Sequence, residues 1–232
     1  VFADARAAEV IWAHRRPSNT VVRRVEAPDL ERLAVWPAVQ RVRTDAGWRG
    51  QAAWLAESPQ ARLPGYNPLV MSKLPWLAEV AAENPFGSRS FAWVDAGLGR
   101  TVGRDLLGPA LESDALPARL TRFLFLTYPY EGGAEVHGFP RAALAHRAGV
   151  ASTRWVARGG FFGGSQAHVA RARAIYDPLL ADTLASGLMG TEESVFTIMA
   201  HLHPAIFERF QIGDDGLVWP FFRDVIAATP DV

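Results

Sequence analysis

The run Phe91-Ala92-Trp93-Val94, closed by Asp95-Ala96-Gly97, constrains the fold of this chain more than any other stretch. Four consecutive apolar residues with aromatic and β-branched members read as a short strand covered on both faces, as in the middle of a sheet flanked by helices. An α/β architecture follows as the expectation. In open α/β sheets the carboxyl ends of the strands border the crevice where ligands bind, and Asp95 stands at such an end. A carboxylate there points to chemistry; the plain alternative is an Asp that caps its own turn.

Signals on either side repeat the alternation of strand and helix. A strand end at Val1-Phe2, a helix over Ala5 to Ala13, a strand over Thr20 to Val25 and a short helix over Asp29 to Val35 are expected. Pro59, Pro64, Gly65 and Pro68 interrupt regular structure, and the stretch from Asn67 to Phe86 then carries apolar residues at helical spacing. Pro75 should kink or restart that helix, and Asn84-Pro85 should end it. Two further strands are expected in "TRFLFLTYPY" and "STRWVARGGFFGG", separated by the irregular piece "EGGAEVHGFP". The last third reads as helical, over Gln166 to Ala185 and again through "TEESVFTIMAHLHPAIFERF", with Thr191 as cap and Glu193 in the first turn. The whole predicts one α/β domain over residues 1–232, with a mostly parallel central sheet flanked by helices. Because Val1-Phe2 looks like the tail of a strand, a preceding βαβ segment is expected upstream.

Composition removes several classes of function. Lys plus Arg number 24 and Asp plus Glu 24, so no net field draws the chain to nucleic acid. There is no cysteine, hence no disulfide, thiolate metal site or cysteine nucleophile, which suits a reducing compartment. No apolar run approaches the roughly 20 residues that span a bilayer. A cytoplasmic protein without a transmembrane segment is expected, with peripheral membrane association left open.

Several residues carry candidate chemistry. Asp95 is followed by Ala96 and Gly97, small enough for a ligand to come close, and a carboxylate there can hold a divalent cation that grips a diphosphate. Gly159, Gly160, Gly163 and Gly164 bracket Phe161 and Phe162 directly before a helix. Such a segment reads as a phosphate-cradling turn, as an aromatic platform for a sugar or base, or as a tight turn with core phenylalanines. Glu192 and Glu193 are adjacent carboxylates at a helix start; successive helical residues point about 100° apart, so at most one addresses a given substrate atom. His201 and His203, two of six histidines, make a poor chelate on one helix, although either can supply a single ligand. His137 lies in a loop beside Glu135. Lys73 and Arg100 are the basic residues placed to neutralise phosphates, or are simply solvated.

The ordered set "YNPLVMSK", "NPF" with "FAWVDAG", "EVHGF", "GGFFGGS" and "GTEESVFTIMAHLHPAIF", from Asn67 to Phe207, resembles the HtrL/YibB family, grouped with WlaTC-type proteins and associated with lipopolysaccharide-core, capsule and surface-glycan biosynthesis. That resemblance implies a GT-A-like (Rossmann-like) glycosyltransferase using a nucleotide sugar, most simply a UDP-sugar, and a glycan acceptor. A looser likeness to the blood-group-type galactosyltransferases matches Asp95 to their strand-end acidic motif, Gly160 to Gly164 to their acceptor strand, and Glu193 to their functional Glu. The usual D-x-D is reduced here to Asp95 alone.

On this reading Glu193 and Glu192 are the catalytic candidates. Lys73, Asp95, Ala96, Gly97 and Arg100 would bind the donor phosphates. Glu135, His137, Gly160, Phe161, Phe162, Gly163 and Gly164 would bind sugar or acceptor. Asp95, with His203, would hold Mn²⁺ or Mg²⁺, or the site works without a tightly held ion. Two other classes stay open: a non-catalytic carbohydrate- or nucleotide-binding protein, and a metal-dependent hydrolase using Asp95, His137 and Glu193.

Overall fold

The structure, a computed structural model, describes residues 1–228. Its centre is a four-stranded sheet in the order β3-β7-β4-β8, where β3 is Ser90–Val94, β4 Phe123–Pro129, β7 Trp155–Ser165 and β8 Phe207–Gln211. Two small sheets accompany it: β1 (Phe2–Ala3) with β2 (Arg23–Arg24), and β5 (Glu135–Val136) with β6 (Phe139–Pro140). The fold is α/β, but the central sheet is mixed. β4 and β8 run parallel, whereas β7 is antiparallel to both β3 and β4. The expectation of a mostly parallel sheet is corrected for a local reason. The excursion from β4 to β7 returns to the place it left, pairing Pro129 with Trp155 and bonding Tyr130 N–H to Arg154 O at 2.9 Å, so β7 turns straight back instead of crossing over.

Alternation along β4 divides the core. Phe123 and Phe125 pack with Leu74, Tyr176 and Phe196 on one face, while Leu124 and Leu126 pack with Leu116, Phe221 and Phe222 on the other. Both faces are therefore dry, and each large apolar side chain so buried contributes about 1.5–3 kcal/mol. The helices Lys73–Glu83, Gln166–Ala185 and Glu192–Leu202 cover the first face.

Proline placement decides two boundaries. The expected helix from Asn67 divides into Tyr66–Met71 and Lys73–Glu83, and Pro75 falls in the first turn of the second, where its missing N–H has no helical partner to lose. Asn84 then stops the chain in the left-handed conformation at φ 42°. At the other end, Pro204 ends the helix at Leu202, and Phe207–Gln211 is strand rather than the helix expected there. A helix over Trp36–Thr44, absent from the sequence reading, packs on Gln166–Ala185.

At the amino end, β1, the helix Ala5–His14 and parallel β2 form a small βαβ unit. Phe2 fixes it to the body by stacking on Trp76 at 4.7 Å.

Candidate functional site

Strand β7 contains the feature on which the site depends. Its register against β4 jumps between Phe125↔Phe162 and Leu126↔Arg158, which leaves residues 159–161 without partners on that side. A bulge of this kind frees backbone groups that the ladder would otherwise consume. Gly159 uses both: its N–H donates to Glu193 Oε1 at 2.7 Å, and its carbonyl accepts from Lys73 Nζ at 3.1 Å. It must also be glycine, because a Cβ would lie 2.8 Å from Glu192 Cδ and nearer still to Oε1. On the opposite edge, Gly160 O accepts from Asp95 N–H at 2.9 Å and holds the end of β3 against the same bulge.

Lys73, the first residue of its helix, points its ammonium into this cluster. Beyond the Gly159 carbonyl, Nζ lies 3.0 Å from Asp95 Oδ2 and 2.8 Å from Glu192 Oε1. All three of its hydrogens thus have acceptors. Burial opposes the charge on Lys73, but Glu192 and Asp95 outweigh it and raise the pKa above the ordinary ammonium value. Asp95 also takes the Trp93 indole N–H on Oδ1 at 2.6 Å, and its side chain remains 36% exposed.

The adjacent glutamates open the helix Glu192–Leu202, where the helix dipole favours negative charge. Thr191 stands at the N-cap, but its hydroxyl makes no cap bond, so the expected capping role is filled by backbone alone. Burial pushes Glu192 up to about 7, with Glu193 adding to the shift and Lys73 opposing it. Glu193 has the contrary fate. Burial would raise it as well, but His137, Arg158 and the Gly159 N–H prevail and hold it at about 2. Its Oε2 lies 2.8 Å from His137 Nδ1, off the hydrogen-bond line, and its Oε1 lies 3.5 Å from Arg158 Nη1. His137 is pushed down by burial and lifted further by Glu193, for a net rise.

His137 reaches Glu193 because of a hairpin within the piece read as irregular. Val136 pairs with Phe139, so His137-Gly138 is a two-residue loop, and both residues have positive φ, 51° and 90°. This is the backbone of a type I′ turn, which glycine accepts freely and histidine does not. Glu135, expected to bind acceptor, instead braces the turn: Oε2 accepts from Gly138 N–H at 2.7 Å and Oε1 from Trp54 Nε1 at 2.9 Å.

These groups line a cavity of about 510 Å³, within the usual range for small-molecule sites. Asp95, Gly97, Gly160, Glu192, Glu193, Lys73 and His137, gathered from distant stretches of sequence, all reach it. So do Trp54, Tyr66 and Arg158, which the sequence reading missed; only the position of Arg158 beside the glycines offered a signal.

Other candidates fall outside. Phe161 and Phe162 are fully buried on opposite faces of the sheet, because the segment is the middle of an eleven-residue strand and not a turn. Gly163 and Gly164 serve close strand packing, since a Cβ would meet Ala92 Cα at 2.7 Å or Arg122 O at 2.8 Å. Ala96 and Arg100 are exposed and do not line the cavity. His203 sits at the far end of an eleven-residue helix from the glutamates, about 15 Å away, with its ring edge-on to Phe207. His201 stacks on Trp155 at 3.9 Å.

The divalent cation implied at Asp95 and His203 does not fit this donor set. His203 is out of reach, and the Lys73 ammonium stands between the two carboxylates. Among the described residues no group of three or more Asp, Glu, His or Cys side chains is arranged to hold a metal, and no helix is long and apolar enough to cross a membrane. Comparison of the chain with protein-family models, with curated proteins and with solved structures gave no match.

Proposed function

We propose that the chain is a glycosyltransferase that moves a sugar from a nucleotide sugar, most simply a UDP-sugar, to a hydroxyl of a surface-glycan acceptor, as the HtrL/YibB resemblance implies. One observation carries the reading: the strand-end acid Asp95, Gly160 of the bulge and the glutamate pair line a common cavity. The opposite displacement of the two glutamate pKa values supports it, since divergent carboxyls are the pattern by which a site separates an acid–base role from an electrostatic one.

In the transfer, the bond from the anomeric carbon to the diphosphate oxygen breaks and its electron pair leaves with the nucleoside diphosphate. The acceptor oxygen forms the new bond to that carbon and gives up its proton. Glu193, ionised, stabilises the positive charge that develops on the sugar. It is too weak a base to take the proton; Glu192, tuned near neutrality, is the better acceptor. His137 and Arg158 supply positive charge beside the departing diphosphate. Trp54 and Tyr66 offer aromatic faces to the ring being moved.

The test is turnover of UDP-, GDP- and CMP-sugars with and without glycan acceptors. At least one donor should be consumed faster with an acceptor present. Glu193→Gln should lower kcat about 10²–10³-fold when assayed well below the melting temperature of the variant. Hydrolysis that no acceptor accelerates would favour the hydrolase, and tight binding without turnover the non-catalytic binder; either result rejects the transferase.

A further inference from the structure

We propose that Lys73 is a built-in cation, holding the position between Asp95 and Glu192 that a divalent ion would otherwise take, so that the site handles its ligand without a bound metal. Nζ is surrounded by two carboxylate oxygens and one carbonyl oxygen, at 3.0, 2.8 and 3.1 Å. These are the hard donors that Mg²⁺, Mn²⁺ and Ca²⁺ prefer. An ammonium and a divalent ion therefore compete for the same three oxygens, and here the ammonium is tethered.

The tether is short and enclosed. Lys73 is 8% exposed, with buried Ser72 and Leu74 on either side, and its helix packs on β3, the strand that ends at Asp95. Two further oxygens nearby are engaged elsewhere: Asp95 Oδ1 by the Trp93 indole N–H, and Glu193 Oε1 by the Gly159 N–H. An incoming ion would have to displace an ammonium already held by three oxygens. Lys73 is thus a positioning residue. It fixes Asp95 and Glu192 relative to the bulge and is not itself free to grip a phosphate, the role the sequence suggested for it. The consequence for turnover rests on the glycosyl-transfer reading; the competition for the oxygens does not.

The experiment titrates Mn²⁺ into the full chain and follows the electron paramagnetic resonance signal of the free ion. Wild type should show no saturable uptake up to millimolar Mn²⁺, and its melting temperature should be the same in Mn²⁺ and in EDTA, since an ion bound only by the native state would raise it. Lys73→Ala should take up one equivalent, because removing the ammonium leaves the three oxygens facing a space the ion can fill. Saturable uptake by wild type that Asp95→Asn abolishes would overturn the proposal, as would a folded Lys73→Ala that binds no Mn²⁺. If Lys73→Ala does not fold, the wild-type titration and melting comparison decide. A full rate of glycosyl transfer in EDTA is also expected. Failure to turn over any donor would count against the transferase and leave the Mn²⁺ result to stand alone.

Discussion

Replacing Gly159 with Ala tests the geometry of the site most directly. The new methyl group would lie 2.8 Å from Glu192 Cδ and 3.3 Å from Cγ, well inside contact distance, so the carboxyl must leave its place beside Lys73. It has nowhere easy to go, being 2% exposed in the first turn of a packed helix. Breaking a buried pair by displacing one partner costs about 3–5 kcal/mol. Glu192 takes up a proton readily, which offsets part of that loss, so we expect about 3 kcal/mol. For a chain of this size such a loss lowers Tm by about 6–12 °C. Urea unfolding and thermal melts should be run on Gly159→Ala, Glu192→Ala and the double variant, with Gly99→Ala as a control because a Cβ there meets nothing within 4 Å. The control should stay within about 0.5 kcal/mol of wild type. In the Glu192→Ala background the Gly159→Ala step should cost about 1 kcal/mol or less, giving a coupling of about 2 kcal/mol. A Gly159→Ala protein that melts within about 2 °C of wild type, or one whose loss is unchanged when Glu192 is absent, would refute the arrangement of bulge, glutamate and lysine.

Other expectations follow from the same geometry. Because the Glu192 pKa is raised from 4.5 to about 7 in the folded chain, its contribution is present below 4.5 and lost as pH rises through 7. His137, also raised, adds a loss above 6.5, so Tm should fall from pH 5 to pH 8, and less steeply in Glu192→Gln. Glu193, lowered to about 2, contributes above 4.5 and is lost as pH falls towards 2, which acid unfolding of Glu193→Gln against wild type would read. Phe162→Ala should cost about 3–5 kcal/mol in urea unfolding, because the ring is buried among Trp93, Phe123 and Phe196 and is no ligand platform. His203→Ala should leave donor turnover within about twofold of wild type; a larger loss would contradict its distance from the glutamates.

What the sequence disclosed, it disclosed through local signals. The apolar runs became β3, β4 and β7, and the periodic stretch from Gln166 to Ala185 is one helix to the residue. Asp95 and the glutamates could be placed at element ends because strand run and helix start are written in nearest neighbours. The direction of β7 was hidden, since it depends on whether Tyr130 and Arg154 meet, and no local pattern encodes that. Glycine density misled for a related reason: Gly163 and Gly164 are small because neighbouring strands press on them, an effect of pairing that looks like turn chemistry in one dimension. β8 was masked, since Ile206, Phe207 and Phe210 stand at helical spacing, and only Pro204 signals that the helix cannot continue. The partners of each charge were not legible. Lys73 is 119 residues from Glu192 in the chain, and only the folded sheet makes them neighbours.

The pairing of β4 with β8 sets an order of assembly. These two parallel strands enclose the whole stretch 130–206, which carries the hairpin with His137, the bulge at Gly159 and both glutamates. Closure of so long a loop is slow and cannot begin on the ribosome until Gln211 has emerged. A nascent chain therefore holds its acidic cluster open to water until β8 is available to pair. Any fragment stopped short of β8 should carry Lys73, Asp95, His137, Arg158 and both glutamates, yet leave them unassembled.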